Sequence, residues 1–191
     1  MELEQICIRR SIRAGFQVVL RMEGSLEIPK EESSIRSFFQ RLWELSLARA
    51  EEYGGRLKDR YHALTDIKER AQVRMQTYQL QVRCCYEDPD CAAFLCEGIL
   101  TGRWSGNVGE GYWRHSYVWN LREQTLLPPA QILERFSSHL SLRSLPFPPD
   151  GIYPEGESLV LYRNVTPFSP FLERKLSLKD PKEYVYKNEK I

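Results

Sequence analysis

The chain has 191 residues, 42% of them hydrophobic and 12% aromatic, which is enough apolar material for one buried core. Its 27 Lys and Arg residues almost balance its 26 Asp and Glu residues, so it lacks the basic excess typical of nucleic-acid-binding proteins. We therefore expect no nucleic-acid partner. No stretch approaches the ~20 apolar residues that cross a bilayer, so the sequence also predicts no transmembrane segment.

The N-terminal residues 1–10 mix charged and apolar side chains and contain no apolar stretch typical of a secretory signal. We expect a cytoplasmic protein if the chain is complete, and an extracytoplasmic protein if an export segment has been removed. The cysteine count is odd, so one thiol is left over from any complete pairing, which favours reduced thiols. The cysteines are Cys7, Cys84, Cys85, Cys91 and Cys96.

The first predicted elements are a strand and an amphipathic helix. Residues 16–28 are strand-like, and Pro29 ends them because proline has no amide hydrogen to give to a ladder. Ser33 or Ser34 is placed to cap the helix that follows, in which apolar residues recur at spacings of three and four.

We expect this helix to end at Gly54-Gly55, because glycine is the usual residue just beyond a helix C-terminus. Residues 56–72 then predict a second helix, or a continuation of the first after a break. Acidic residues are interleaved with the basic ones there, which indicates a solvated face rather than a phosphate-binding patch.

The clearest strand signal is the alternation of apolar and polar residues over 78–85. A turn at 87–90 leads into a returning strand over 92–104, a glycine-rich loop over 105–111 and an aromatic strand over 112–121. The remaining elements are a helix with its buried stripe at Ile132, Leu133, Phe136 and Leu140, a turn-rich segment at 144–156, and strands at 158–163 and 184–186.

The turn at 87–90 sets a register for the first hairpin. It places Cys84 opposite Phe94 and Val82 opposite Cys96, and these four residues share the apolar face. The opposite face then carries two thiols at the solvent edge, Cys85 and Cys91.

For the second hairpin, the preferred register centres on the glycine-rich loop. It places Gly98 opposite Trp119 and Gly102 opposite His115, so that large rings lie over residues without side chains. Aromatic covering of strand glycines is a known stabilising arrangement.

The cysteines and His115 do not form a convincing zinc site, since the adjacent Cys84 and Cys85 point to opposite faces of a strand. The loop 105–111 is followed by a strand, whereas a phosphate cradle opens a helix. No serine or cysteine lies in a nucleophile-elbow context, and no carboxylate pair is placed for acid/base work. We expect no metal, no cofactor and no catalytic residues.

Aromatic side chains concentrate around the second hairpin. Tryptophan and tyrosine are favoured interface anchors because they bury a large area at a small cost in entropy. We expect most of them to pack in the core and those beside the glycine-rich loop to form a recognition surface. The candidate binding residues are Trp104, Asn107, Tyr112, Trp113 and His115.

The order of elements over residues 16–190 resembles a family of unknown function, the C-terminal domain of RsiV-type anti-sigma factors. That domain also accompanies some bacterial polysaccharide deacetylases and many lipoproteins. The segments that carry the similarity are the opening strand and helix, the strand from Tyr78, the unit Ile99 to Leu121 with its Gly-Asn-Val-Gly loop, Trp119 to Leu127, Asp150 to Tyr153, Ser158 to Tyr162, and Pro167 to Phe171.

The resemblance implies an α+β fold, which agrees with the elements above, and a binding role, because the anti-sigma branch binds lysozyme. We expect a single domain over residues 1–191, built as an antiparallel meander sheet with helices packed on one face. The leading hypothesis is a non-enzymatic binding or regulatory module for a protein partner or a cell-wall-related ligand. One alternative is a hydrolase of cell-wall polymers that pairs His115 with Glu97 or Glu110, and another is a structural or assembly protein.

Overall fold

The computed structural model describes residues 1–73, 75–101, 103–104, 107–108, 111–137, 140–164, 172–178 and 184–185. The elements, in chain order, are β1 (Leu3–Ala14), β2 (Gln17–Pro29), α1 (Ser34–Ala63), α2 (Ile67–Gln72), β3 (Gln76–Glu87), β4 (Cys91–Thr101), β5 (Arg103–Trp104), β6 (Asn107–Val108), β7 (Gly111–Asn120), β8 (Thr125–Leu126), α3 (Pro129–Phe136), a 3-10 helix (Leu142–Ser144), β9 (Gly151–Glu155), β10 (Ser158–Arg163), β11 (Leu172–Ser177) and β12 (Tyr184–Val185).

The strands form a six-stranded sheet in the order β1-β2-β3-β4-β7-β8, a four-stranded sheet in the order β12-β11-β10-β9, and the small pair β5-β6. The predicted α+β class is confirmed. The meander is not antiparallel throughout, because β2 and β3 run parallel, with Leu20 beside Gln76 and Leu26 beside Val82. The helices between these two strands return the chain to the end of the sheet at which β2 begins. The next strand, β3, can therefore run parallel to β2.

The chain divides into two compact units. Unit 1 comprises Met1–Val82 and Glu97–Trp113, and unit 2 comprises Arg83–Cys96 and Arg114–Ile191. The strands β3, β4 and β7 therefore each contribute residues to both units. The single domain expected over residues 1–191 stays a prediction, because two compact units can belong to one domain or to two. Among the described helices, none combines the length and the apolar character that a membrane crossing demands.

In unit 1, α1 packs against β1 and β2. Ser33 caps the helix, as predicted, by accepting a hydrogen bond from the amide of Arg36. The helix does not end at Gly54-Gly55 but runs on to Ala63. A Cβ on Gly54 would lie 2.2 Å from Cδ1 of Ile12, so the glycine allows the helix to approach the sheet closely. The prediction of a helix end at this pair is wrong because the sequence alone does not distinguish a glycine that allows close packing, here Gly54, from a glycine that ends a helix.

The edge strand β1 was missed in the sequence. Ile6, Ile8 and Ile12 alternate along it, and they lie opposite Leu26, Gly24 and Leu20 of β2. Arg9 and Arg10 interrupt this apolar alternation, so the sequence pattern alone did not predict a strand here. Arg9 lies on the exposed face of this edge strand, which is a normal place for charge, and Arg10 lies on the helix side, 3.5 Å from Glu51 of α1.

In unit 2, strand β4 is buried on both faces. Cys91, Ala93 and Leu95 join one apolar cluster with β9, β10 and α3, and Cys85 packs against the same cluster. Phe94 and Cys96 are also buried but lie outside that cluster, in keeping with the predicted separation of faces. The prediction that Cys85 and Cys91 lie at a solvent edge is wrong, because the second sheet and α3 cover that side.

Candidate functional site

The predicted recognition hairpin contains two short paired strands. Trp104 of β5 pairs with Asn107 of β6, so Asn107 and Val108 are strand residues within the segment 105–111 that is predicted to be a loop. The side chains of Trp104 and Asn107, like the whole of Gly102, lie outside the described residues.

The register of the second hairpin differs from the prediction. A Cβ on Gly98 would lie 2.1 Å from the indole of Trp113, so the ring over Gly98 is that of Trp113 and not of Trp119. The pairing of Trp104 with Asn107, in the separate β5–β6 sheet, is likewise centred three residues earlier than the predicted register. Aromatic covering of a strand glycine does occur here, but with a different partner.

Tyr112 and Trp113 occupy opposite faces of β7, as neighbours on a strand do. Trp113 is half-buried against Gly98, whereas Tyr112 keeps 37% of its surface exposed. Trp113 thus anchors the strand, and among the described side chains of this hairpin Tyr112 is the aromatic that unit 1 presents to solvent.

His115 belongs to unit 2, because the boundary between the units follows Trp113. Its side chain is exposed at the surface, and its ring lies 6.4 Å from that of Tyr117. Partial burial of the imidazole by surrounding residues lowers the pKa of His115, and the negative charge of Asp150 opposes this shift. Asp150 is therefore the carboxylate that acts on His115, which the sequence did not indicate.

The hydrolase alternative required a pocket joining His115 to Glu97 or Glu110. Glu97 belongs to unit 1, and Glu110 lies outside the described residues. Asp150 accepts a hydrogen bond of 2.7 Å from the amide of Asn164, so this carboxylate positions backbone. The hydrolase stays an untested alternative.

Unit 2 contains a charged cluster that sequence reasoning missed. Arg83 and Lys175 both bind Glu155, with nitrogen-to-oxygen distances of 3.0 and 2.5 Å. Lys175 also lies 3.9 Å from Glu173, and Glu173 accepts a hydrogen bond of 2.6 Å from Arg114. Charges of opposite sign thus alternate through five side chains from four strands.

Tyr162 supports one end of this cluster. The guanidinium of Arg114 lies over its ring at 5.6 Å, and the amide of Ser116 donates a hydrogen bond of 2.7 Å to its hydroxyl. The ring fits because Gly151, the residue opposite it on β9, has no side chain: a Cβ there would lie 2.2 Å from the tyrosine hydroxyl.

The electrostatics of the cluster favour a structural role. Burial alone raises the pKa of Glu155, but hydrogen bonds from Lys175 and Arg83 outweigh it and hold that pKa below the usual range. Glu155 is therefore ionised and engaged near neutral pH, unlike a general acid, whose pKa is raised.

The cysteines of unit 2 are poor nucleophiles. Burial raises the pKa of Cys85 to about 12 and that of Cys91 to about 11, so both stay protonated near neutral pH, whereas reactive cysteines have depressed pKa values. In the ranges that the structure describes, no three His, Cys, Asp or Glu side chains are grouped to hold a metal ion.

Unit 2 also has a surface groove of about 370 Å³ between α3 and the 3-10 helix. Its walls are mainly apolar, and Glu134 and Arg143 are its charged members. None of the five predicted binding residues lines it. The groove lies against the predicted helix stripe at Leu133 and Leu140, which the sequence assigned to the core.

Two solved structures resemble this chain along nearly its whole length. One is a DUF3298-family protein from Bacteroides fragilis, with a TM-score of 0.59, 12% identity, and coverage of 93% of this chain and 90% of that chain. The other is a DUF3298-family protein from Pseudomonas aeruginosa, with a TM-score of 0.53, 11% identity, and coverage of 93% and 91%. The chain shares their fold. No family model matches the sequence, and neither does any curated protein.

Proposed function

We propose that the protein is a non-enzymatic binding module of the RsiV-like type, which recognises a protein or cell-wall-related ligand through the β5–β7 hairpin of unit 1. The observation that carries the proposal is the exposed Tyr112 beside the anchored Trp113. The chain shares the fold of DUF3298-family proteins, and its α+β class is the one that the RsiV resemblance implies.

The arrangement on β7 suits recognition physically. Because the indole of Trp113 packs over Gly98, the backbone that carries Tyr112 is held in place before a ligand arrives. A pre-positioned tyrosine loses little side-chain entropy on binding and buries a large area. Trp104 and Asn107 belong to the same hairpin, and we include them as ligand contacts.

The chemistry of unit 2 supports binding rather than catalysis. Glu155 and Glu173 are each held by a cation, and the thiols of Cys85 and Cys91 stay protonated. His115 remains a candidate contact of that unit, since its ring is exposed on β7.

The test compares Tyr112→Ala with Phe16→Ala, a matched loss of an exposed aromatic ring from another hairpin of unit 1. Binding to purified lysozyme is measured by calorimetry, and binding to insoluble peptidoglycan is measured by sedimentation. We expect the unsubstituted chain to bind one of these probes, and Tyr112→Ala to weaken that binding by about ten-fold or more. Phe16→Ala should leave it unchanged.

Two results would overturn the proposal: failure of the unsubstituted chain to bind either probe, or equal binding by Tyr112→Ala and the unsubstituted chain. Circular dichroism of each variant shows that the fold is retained, which we expect because both rings are exposed. Trp113→Ala is not a suitable test, since loss of the ring over Gly98 destabilises the strand itself.

A further inference from the structure

The turn between β1 and β2 presents a phenylalanine to solvent. Ala14 pairs with Gln17, so only Gly15 and Phe16 form the turn. Gly15 has a φ of +61° and Phe16 does not have a positive φ, which matches a type II′ turn, the type that suits a right-handed strand twist. Phe16 is 102% exposed, so this tight turn holds an entire aromatic ring in water.

The hairpin behind this ring is basic. Between residues 9 and 22 there are four arginines and no acidic residue. Arg10 points to the helix side, where it lies 3.5 Å from Glu51 of α1. The other three, Arg9, Arg13 and Arg21, share the opposite face of the hairpin and are exposed there.

These three arginines form at most one weak ion pair with the described carboxylates. Arg9 lies 3.8 Å from Glu23 while its side chain stays 84% exposed, and an ion pair of that kind contributes little. Within the part of the chain that the structure describes, neither Arg13 nor Arg21 has a carboxylate partner. Ser11 lies opposite Arg21 and between the other two along β1, so the three surround one hydroxyl.

We propose that this end of the β1–β2 hairpin, which we name the arginine–phenylalanine tip (Arg9, Arg13, Phe16 and Arg21), docks onto an anionic lipid surface. Phe16 enters the boundary between headgroups and acyl chains, and the arginines bind lipid phosphates. Aromatic side chains at the tip and cations behind them are the combination that interfacial binding requires. A single ring that projects from a turn can insert into the fluid apolar region of any lipid bilayer. A protein partner would instead need a pocket whose shape fits that ring.

The spacing along the strands predicts how the arginines contribute. At ~3.3 Å per residue, Arg13 lies about 10 Å from Phe16, Arg21 about 16 Å and Arg9 about 23 Å. Screening at physiological salt has a length of ~8 Å, so the nearest arginine contributes most. The hairpin docks tilted towards its arginine-bearing face, which brings Arg21 closer to the headgroups.

The test is co-sedimentation of the full chain with vesicles, either of phosphatidylcholine alone or with one-third phosphatidylglycerol. We expect salt-sensitive binding to the anionic vesicles only. Arg13→Gln with Arg21→Gln should weaken it by about thirty-fold and Phe16→Ser by about ten-fold, while Phe16→Trp should preserve it. Matched controls are Ile67→Ser, an exposed apolar residue, and Arg41→Gln with Arg56→Gln, two exposed arginines of α1; both should bind normally.

Absence of binding to anionic vesicles would overturn the proposal, as would binding that survives both tip variants. A soluble polyanion, polyglutamate, serves as the competing probe. If it binds as tightly as the vesicles do and binding does not depend on Phe16, the tip recognises acidic macromolecules and the lipid assignment is wrong. Tyr112→Ala leaves vesicle binding unchanged, which separates this inference from the proposed function.

Discussion

In unit 2, Arg83 and Arg114 retain 38% and 12% of their side-chain exposure, and each contacts a glutamate at 3.0 Å or less. In unit 1, Arg13 and Arg21 are exposed, and among the described residues neither has a carboxylate partner. The same residue type thus serves two purposes. A cation withdrawn from water needs a partner, because burying an unpaired charge is costly, whereas an exposed cation stays available to an anion from outside.

The largest loss of stability is expected at Gly151, where the ring of Tyr162 packs closely beside the charged cluster of unit 2. Gly151→Ala places a Cβ 2.2 Å from the hydroxyl of Tyr162, whose ring is buried and held by the amide of Ser116. We expect a loss of about 2–3 kcal/mol in the free energy of unfolding, measured by denaturant titration.

The matched control for that substitution is Gly55→Ala in α1 of unit 1. No atom lies within 4 Å of a Cβ placed there, and alanine is the better helix former, so stability should rise by about 0.5–1 kcal/mol. If the two substitutions changed stability equally, the close packing around Tyr162 would be refuted.

A smaller effect is expected from removing one carboxylate charge. Glu155→Gln removes the anion that Arg83 and Lys175 share and leaves Lys175 only its longer contact with Glu173, so a loss of about 1–2 kcal/mol is expected at neutral pH. Glu23→Gln weakens the contact with an Arg9 side chain that is 84% exposed, and it should change stability by less than about 0.5 kcal/mol.

The pH dependence of the Glu155 variant gives a further check. The pKa of Glu155 is lower in the folded protein than in the unfolded chain, so its contribution is fully present above the unfolded pKa of about 4.3. It is lost as the pH falls through the folded value. The stability difference between the unsubstituted chain and Glu155→Gln should therefore shrink in acid. A difference that stays constant between neutral pH and pH about 3 would contradict the ionised pairing.

The local parts of the fold could be predicted from the sequence. Alternation from Tyr78, the turn at 87–90 and the cap at Ser33 are set by neighbours along the chain, and the structure has them. The turn is closed by hydrogen bonds of 2.8 Å from the amide of Asp90 to the Asp88 carboxylate and from the amide of Asp88 to Cys91. Turn and cap chemistry of this kind depends on a few adjacent residues.

The features that were mispredicted depend on distant partners. Gly54 makes room for the side chain of Ile12, and Gly98 makes room for that of Trp113. The sequence does not show whether a glycine serves a turn, a helix cap or a close contact of this kind. The charged cluster depends on the register of several strands, and Arg83 and Glu155 are 72 residues apart. Of the predicted site, Tyr112 and His115 are exposed, whereas Trp113 packs within unit 1.

The most direct test of the contrast between the two units is a pair of double variants compared by denaturant unfolding at neutral pH. Arg13→Gln with Arg21→Gln should leave the free energy of unfolding within about 0.5 kcal/mol of the unsubstituted chain. Arg83→Gln with Arg114→Gln should lower it by about 2–3 kcal/mol, because Glu155 and Glu173 each lose a cation. Equal losses in the two double variants would contradict the account.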